Sequence, residues 1–184
     1  MSVLLTASLS ATLPLSAASH VDVVKMRTEN RVNPLGIGTS TPRFSWQITS
    51  DRKGVVQTSY QILVASSKEK LDRNEADLWD SGERNSDEQL WIPYQGKALL
   101  SGAQAYWKVR ITTNKGKSEW TEPQLFTIGL LGETKWSGTW IGLEDLQPGE
   151  QKGMHTRLAA RYIRKDFATK GKVKRAVAYV AGLG

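Results

Sequence analysis

The sequence predicts an all-β fold, with an immunoglobulin-like β-sandwich over residues 20–129 followed by an incomplete second β-domain. Three observations favour this fold. Short runs of alternating apolar and polar residues recur through residues 20–129, Pro or Gly interrupts the chain about every ten residues, and helical periodicity is scarce. Six or seven short strands in about a hundred residues are typical of an immunoglobulin-like sandwich.

Two segments show the alternation of half-buried strands. They are PRFSWQITS, in which the strand starts after Pro42, and VVQTSYQILVASS. A strand that is covered on one side points every second side chain at the core. The residues expected to face inward are Phe44, Trp46 and Ile48 in the first segment and Tyr60, Ile62 and Val64 in the second. Leu63 and Ala65 make the opposite face of the second segment less polar than simple alternation requires.

The next segment, SKEKLDRNEADLWDSG, is predicted to be a turn or a single helical turn that leads to a short edge strand at Trp79. Leu71 and Leu78 have helical spacing, but the segment is short and rich in Asp, Asn and Lys. The segment LWIPY predicts a short strand that Pro93 interrupts, because proline has no N–H to donate.

The segment AYWKVRITT predicts the most regular strand, with Lys108 and Arg110 facing outward and three apolar residues facing inward. The inward residues are Trp107, Val109 and Ile111. The turn NKGKS and a closing strand within SEWTEPQLFTIG complete the sandwich.

The pattern changes after Gly129, where the polar stretch LEDLQPGEQKGMHT indicates a linker and loop over residues 130–156. Alternation resumes in RYIRKDFATKGKVKRAVAYV as two predicted strands. Because no partner strand follows them, residues 157–184 are expected to be the first strands of a truncated second β-domain.

Composition excludes several classes of protein. With 39% hydrophobic and 23% charged residues, the chain is neither disordered nor a membrane protein by composition, and no membrane span is expected. The absence of cysteine excludes disulfides and thiolate metal sites. Residues 1–19 are mostly apolar and end in small residues, which predicts a signal peptide or a disordered leader. A signal peptide would make the protein exported, to the periplasm or the outside of the cell, whereas without one it would be cytoplasmic.

Positive charge is concentrated near the carboxyl end. Residues 152–175 carry nine basic residues and one acidic residue, Asp166, whereas the rest of the chain is nearly balanced. Nucleic acid is therefore an alternative partner, but these basic residues alternate with apolar ones, as the solvated outer faces of ordinary strands do. Nucleic-acid binding is accordingly not the preferred interpretation.

Residues with catalytic chemistry form no recognisable site. The adjacent carboxylates lie in predicted loops, where sequence neighbours do not span a cleft as glycoside hydrolysis requires. These pairs are Asp77 with Asp80, Asp87 with Glu88, and Glu144 with Asp145. Only His20 and His155 offer imidazole, and the GIG at residues 36–38 lacks the third glycine of a phosphate loop. The prediction is therefore that the chain has no catalytic, metal-binding or cofactor-binding residues and needs no cofactor.

Tryptophan faces are a further candidate for chemistry, because they pack well against the apolar faces of sugars. Trp46 and Trp107 alternate with apolar neighbours and are expected in the core. Trp79, Trp91 and Trp120 have less regular surroundings, so a sugar-facing role remains open for each of them.

Eight motifs in order resemble the amino-terminal region of bacterial α-L-rhamnosidases, which are glycoside hydrolases. The motifs are VNPLGIG, PRFSW, QTSYQILVASS, ADLWDSG, YWKVRI, KWSGTWIG, YIRKDF and RAVAYVAGLG. The resemblance implies a fibronectin type III-like sandwich over residues 20–129 and the start of a jelly-roll domain over residues 157–184. It also implies that hydrolysis with inversion takes place in a downstream (α/α)6 barrel, so this chain alone is expected to be inactive.

One position departs from the type III pattern, which places a tyrosine six residues after a leucine. Counting from Leu100 reaches Tyr106 but would turn Lys108 inward, whereas counting from Leu99 reaches Ala105 and keeps Trp107 inward. The second register is preferred, so the usual tyrosine hydrogen bond is expected to be missing.

The leading functional hypothesis is that the chain is a non-catalytic module of a larger enzyme. Its expected partner is the rest of that enzyme, and rhamnose-containing glycans are expected to bind to the full enzyme. The alternative is an independent adhesion or carbohydrate-binding module with the same sandwich.

Overall fold

A computed structural model describes residues 21–132, 137–142, 149–150 and 162–182. Two antiparallel sheets form the sandwich, so the all-β prediction is confirmed. Short strands and one short helix make up the described secondary structure. They are β1 Val21–Thr28, β2 Arg43–Ser50, β3 Gln57–Ala65, α1 Lys68–Asp72, β4 Trp79–Asp80, β5 Arg84–Asn85, β6 Ile92–Pro93, β7 Gln104–Thr113, β8 Gly116–Lys117 and β9 Gln124–Thr127.

One sheet has the strand order β1-β2-β6, and the other has the order β4-β3-β7-β8. In the second sheet β5 also pairs with β3, and β9 pairs with β7. The long pair β3–β7 runs antiparallel from Gln57 opposite Thr113 to Ala65 opposite Tyr106. Because α1 and β4 follow β3 as expected, the predicted order of elements through this region is confirmed.

The core lies between the two sheets. The predicted inward residues of β2, β3 and β7 are buried in it, except for Ile48, which is partly buried, and further apolar residues such as Phe126 and Ile128 complete the core. Phe44 is at its centre, with its ring 4.4 Å from that of Trp107 and 5.8 Å from that of Phe126. Trp46 packs edge-on against Tyr60 at 5.3 Å and donates from its indole N–H to Gln57 Oε1 at 3.1 Å. The expectation that Trp46 and Trp107 are core residues is therefore confirmed.

The outer face of β3 carries a second, smaller core. Leu63 and Ala65 pack there with Leu71 of α1, and all three are buried. The Ser67 side chain caps α1 by accepting a hydrogen bond from the Lys70 N–H at 3.4 Å. The apolar residues that interrupt the alternation of β3 are thus explained by the helix that covers them.

The register chosen for β7 is confirmed. Leu99 and Ala105 are buried, whereas Leu100 is exposed. Tyr106 lies on the opposite face of β7 and its hydroxyl accepts a hydrogen bond from Gln104 Nε2 at 2.6 Å.

The VNPLGIG segment is a loop, as predicted for its GIG, and it is fixed along β9. Ile37 N–H donates to the Thr127 carbonyl, and Gly129 N–H donates to the Ile37 carbonyl, each at 2.8 Å. Gly36 has a φ of 74°. A side chain at Gly129 would meet the Gly36 carbonyl oxygen at 3.1 Å, so the two backbones approach as closely as glycine allows.

Residues 136–184 form a separate unit of the chain. Residues 162–182 contain no strand, and every one of them is exposed. The two strands expected in this region are therefore not formed here, because an extended segment becomes a strand only by hydrogen bonding to a neighbouring one. The assignment of residues 157–184 to a second β-domain stays a prediction.

No helix within the part of the chain that the structure describes is long and apolar enough to cross a membrane.

Candidate functional site

The outer face of the three-stranded sheet is the part of the sandwich surface that best suits a binding site. We call it the open face, because its side chains are exposed to solvent. It is formed by Lys25, Arg27, Arg43, Gln47, Leu90 and Trp91. Two cations come from β1, one cation and one amide from β2, and the two apolar residues from the loop just before β6.

A bulge in β1 places Lys25 on this face. The pairing of β1 with β2 shifts register between Val24 and Arg27, and Lys25 has a φ of 50°. The extra residue lets Met26 reach the core while Arg27, opposite Ser45, faces outward.

The turn from β1 towards β2 organises the centre of the open face. Thr28 and Arg31 exchange backbone hydrogen bonds of 2.9 and 3.0 Å around Glu29 and Asn30. Both turn residues have positive φ, 48° and 63°, as a two-residue type I′ hairpin turn requires. The Asn30 carbonyl accepts a hydrogen bond from Arg27 Nη1 at 2.9 Å, which orients the Arg27 guanidinium.

Arg43 is held between Glu29 and Trp91. Its Nε and Nη2 atoms donate to the two Glu29 carboxylate oxygens at 3.1 and 2.8 Å, and its backbone N–H donates to Oε1 at 2.8 Å. These hydrogen bonds lower the pKa of Glu29 below its usual value. The guanidinium lies 4.2 Å from the centre of the Trp91 ring, so it also stacks on that ring.

The Trp91 ring is 42% exposed and Leu90 is 64% exposed. The backbone holds Trp91 in place: its φ is 60°, and its N–H donates to Ser45 Oγ at 3.0 Å. A non-glycine residue at positive φ is uncommon and carries a conformational cost. The ring is thus presented outward by a fixed backbone.

Two grooves flank the Glu29–Asn30 turn. The first has basic, amide and apolar walls, and its lining includes Lys25, Arg27, Asn30, Gln47 and Leu90. The second, on the other side of the turn, has a volume of about 640 Å³ and a lining that includes Glu29, Arg31, Leu35, Thr41 and Arg43.

Charge is unevenly distributed in the sandwich. The two grooves contain four cations, from Lys25, Arg27, Arg31 and Arg43, and one carboxylate, from Glu29. Over the remainder of residues 21–132 the sequence has 11 basic and 12 acidic residues. The positive excess of the sandwich therefore comes from this corner.

The outer face of β3 and β7 differs from the open face, because α1 packs against it. We call it the covered face. Lys108 is buried there, and its Nζ donates to the Leu71 carbonyl and to Asn74 Oδ1. Burial lowers the pKa of Lys108. Trp120 is half-buried, with the Arg110 guanidinium 4.4 Å and the Lys108 Nζ 5.1 Å from its ring centre.

The three tryptophans left open by the sequence therefore have three environments. Trp79 is buried against Tyr94, with ring centres 5.4 Å apart, and belongs to the core. Trp120 belongs to the covered face. Trp91 is the most exposed of the three. Its isolated position in LWIPY gave no sign of this, because its cationic neighbours are distant in sequence.

The predicted carboxylate pairs are not arranged as an acid and a base. Partial burial raises the pKa of Asp77, but hydrogen bonds from Lys70 and Ser66 outweigh that effect and lower it to about 2. Asp80 accepts from Gln61 and from the Gly82 N–H at 2.9 and 2.8 Å. A carboxyl with a lowered pKa does not suit a general acid.

The remaining candidates carry no site in the described residues. Asp87 and Glu88 are exposed. Glu144, Asp145, His20 and His155 lie outside the described residues. No cluster of three or more metal-ligating side chains occurs in the part of the chain that the structure describes.

Comparisons with known proteins agree with the fold. The family model described as the Rha78A-like, N-terminal immunoglobulin domain matches residues 23–132. An α-L-rhamnosidase of Formosa agariphila is 34% identical over 181 residues, which cover 90% of this chain and 19% of that protein. The chain spans about a fifth of the length of such curated relatives.

Solved structures of α-L-rhamnosidases also match the fold of this chain. The α-L-rhamnosidase of Streptomyces avermitilis, complexed with L-rhamnose, matches with a TM-score of 0.62 and 36% identity over 67% of this chain and 12% of that one. The α-L-rhamnosidase from Dictyoglumus thermophilum matches with a TM-score of 0.62 and 36% identity over 65% of this chain and 14% of that one.

Proposed function

Because the chain belongs to the family of Rha78A-like N-terminal immunoglobulin domains, we propose that it is the non-catalytic amino-terminal module of a larger α-L-rhamnosidase. The observation that carries the proposal is the match of residues 23–132 to a domain that occupies a small part of much longer enzymes. In this proposal the larger protein hydrolyses terminal α-L-rhamnosides, and the sandwich is a structural and binding module of it.

The chemistry of the described residues supports a non-catalytic role. Inverting glycosidases need a carboxylic acid and a carboxylate about 6.5–9.5 Å apart, the acid with a raised pKa. Asp77 has a lowered pKa and three hydrogen-bond donors around it, so it is suited to fixing the loop after α1. The open face carries cations and an aromatic ring, groups that suit ligand binding and that do not supply the acid of a glycosidase.

An activity assay tests this proposal. The purified 184-residue chain and the longer protein that carries it at its amino terminus are each given an aryl α-L-rhamnoside. We expect turnover by the longer protein and none by the 184-residue chain. Turnover by the short chain, or a folded longer protein without rhamnosidase activity, would contradict the proposal.

We also propose that the parent enzyme is exported. The support is the sequence of residues 1–19, which lie outside the described residues. The test is amino-terminal sequencing of the protein recovered from the producing bacterium, with a mature start near residue 20 as the expected result and an intact Met1 as the contrary one.

A further inference from the structure

We infer that the open face is a binding site for an acidic saccharide, that is, a short glycan whose sugar rings carry carboxylates. The inference rests on the proposed function, because membership in an α-L-rhamnosidase makes a saccharide the expected class of ligand. It goes further by assigning a site and a charge requirement to residues outside any catalytic domain.

The cations of the open face are arranged to receive a carboxylate. Arg27 has five N–H donors, and one of them donates a hydrogen bond to the Asn30 carbonyl. This hydrogen bond orients the guanidinium and leaves the other donors for a ligand. Lys25 lines the same groove on the β1 bulge. Arginine and lysine bound to a carboxylate make charge-assisted hydrogen bonds, roughly twice as strong as neutral ones.

The other walls of the groove suit the rest of a sugar. Asn30 and Gln47 bring amide groups, which both donate to and accept from hydroxyls. Leu90 lines the same groove, and its neighbour Trp91 presents an exposed ring, so apolar surface is available for the C–H face of a pyranose. A few polar groups around an apolar surface are typical of small-ligand sites.

The geometry disfavours nucleic acid as the ligand. Binding of a nucleic acid backbone needs a track of cations that follows successive phosphates. Arg43 is already paired with Glu29 through two side-chain hydrogen bonds, and the Glu29–Asn30 turn separates the two grooves. What remains is Arg31 on one side of the turn and, on the other side, a short basic pocket at Lys25 and Arg27, which matches one or two carboxylates.

The test is titration of the 184-residue chain with tri-galacturonate, measured by calorimetry in low salt. The matched neutral probe is the same trisaccharide with its carboxyls reduced to alcohols. We expect saturable binding of the acidic probe, and binding of the neutral probe about tenfold weaker, because charge-assisted hydrogen bonds are lost.

Two double variants locate the site. Lys25→Ala with Arg27→Ala should weaken binding of tri-galacturonate about tenfold, whereas Lys53→Ala with Lys115→Ala, two exposed cations elsewhere on the sandwich, should leave it within about twofold. Trp91→Ala should weaken binding of both probes by a similar factor. Circular dichroism of each variant confirms that it is folded.

Three results would overturn the inference. They are equal binding of tri-galacturonate by the two double variants, which would place binding away from Lys25 and Arg27; equal binding of both probes; and binding of single-stranded DNA, but not of tri-galacturonate, that depends on Lys25 and Arg27. Failure here is distinct from failure of the proposed function. A longer protein that hydrolyses rhamnosides while the chain ignores tri-galacturonate would reject the open-face site alone.

Discussion

The two outer faces of the sandwich carry the same kind of pair, an arginine stacked on a tryptophan, with different surroundings. On the covered face Arg110 lies 4.4 Å from the centre of the half-buried Trp120, and α1 packs beside it. On the open face Arg43 lies 4.2 Å from the centre of Trp91, which remains exposed. An arginine–tryptophan pair that another element packs against therefore contributes to the fold, whereas the same pair without such cover leaves its ring exposed to solvent.

The largest effect is expected from leucine truncation on the two faces. Leu71→Ala empties the small core that Leu71 shares with Leu63 and Ala65, and should lower the free energy of unfolding by about 2–4 kcal/mol. Leu90→Ala removes an exposed side chain and should change it by less than about 0.5 kcal/mol. Urea denaturation measures both, and similar losses for the two variants would break the comparison.

Lysine truncation gives the next effect. Lys108→Ala removes the hydrogen bonds that the buried ammonium donates to the Asn74 side chain and to the Leu71 carbonyl, which keeps the Asn74 N–H as a donor. Because hydrogen bonds of a charged group are lost, the variant should cost about 1–3 kcal/mol of unfolding free energy. Lys25→Ala on the open face should change the unfolding free energy by less than about 0.5 kcal/mol. Lysine and alanine both carry a Cβ, so the positive φ at this position costs the two residues about the same. Chemical denaturation at neutral pH measures the two values. A Lys25 variant as unstable as the Lys108 variant would contradict the assignment of the open face.

Sequence alone predicts the sandwich because the central strands β2, β3 and β7 each place apolar residues at every second position on the face that meets the core. It did not single out β1, since the bulge between Val24 and Arg27 breaks the two-residue period. Nor did it explain Leu63, whose partner Leu71 lies on a helix of five residues. β3 is covered on both faces, by the opposite sheet and by α1, and a short stretch of sequence does not show which elements will pack together.

The candidate site was less accessible to sequence reasoning than the fold. The sequence leaves the environment of Trp91 open, because Arg43, which stacks on its ring, comes from β2 and reaches it through the pairing of β2 with β6. In the sequence, positive charge is most concentrated in residues 152–175, outside the sandwich. The small excess of positive charge around the Glu29–Asn30 turn arises because the pairing of β1 with β2 brings Arg43 close to the cations of β1.

The smallest effect concerns stability in acid. The folded state lowers the pKa of Asp77 from 3.8 to about 2, so its contribution is present above pH 3.8 and is lost as the pH falls through about 2. Asp77→Asn should therefore flatten the decline of unfolding free energy between those pH values. Glu29→Gln should flatten the decline below pH 4.5 less, because its partner Arg43 is exposed and solvent screens the pair. Urea midpoints from pH 5 to pH 2 measure both slopes, and a larger change for Glu29→Gln would reverse the comparison.

Hydroxyl-radical footprinting of the intact chain, read by mass spectrometry, tests the difference between the faces most directly. Each tryptophan reports its own exposure, and the buried Trp46 and Trp107 give the reference for full protection. We expect Trp91 to be oxidised several times faster than Trp120, and both to be oxidised faster than the two core residues. Oxidation of Trp120 at the rate of Trp91 or above would show that the covered face is not covered in solution.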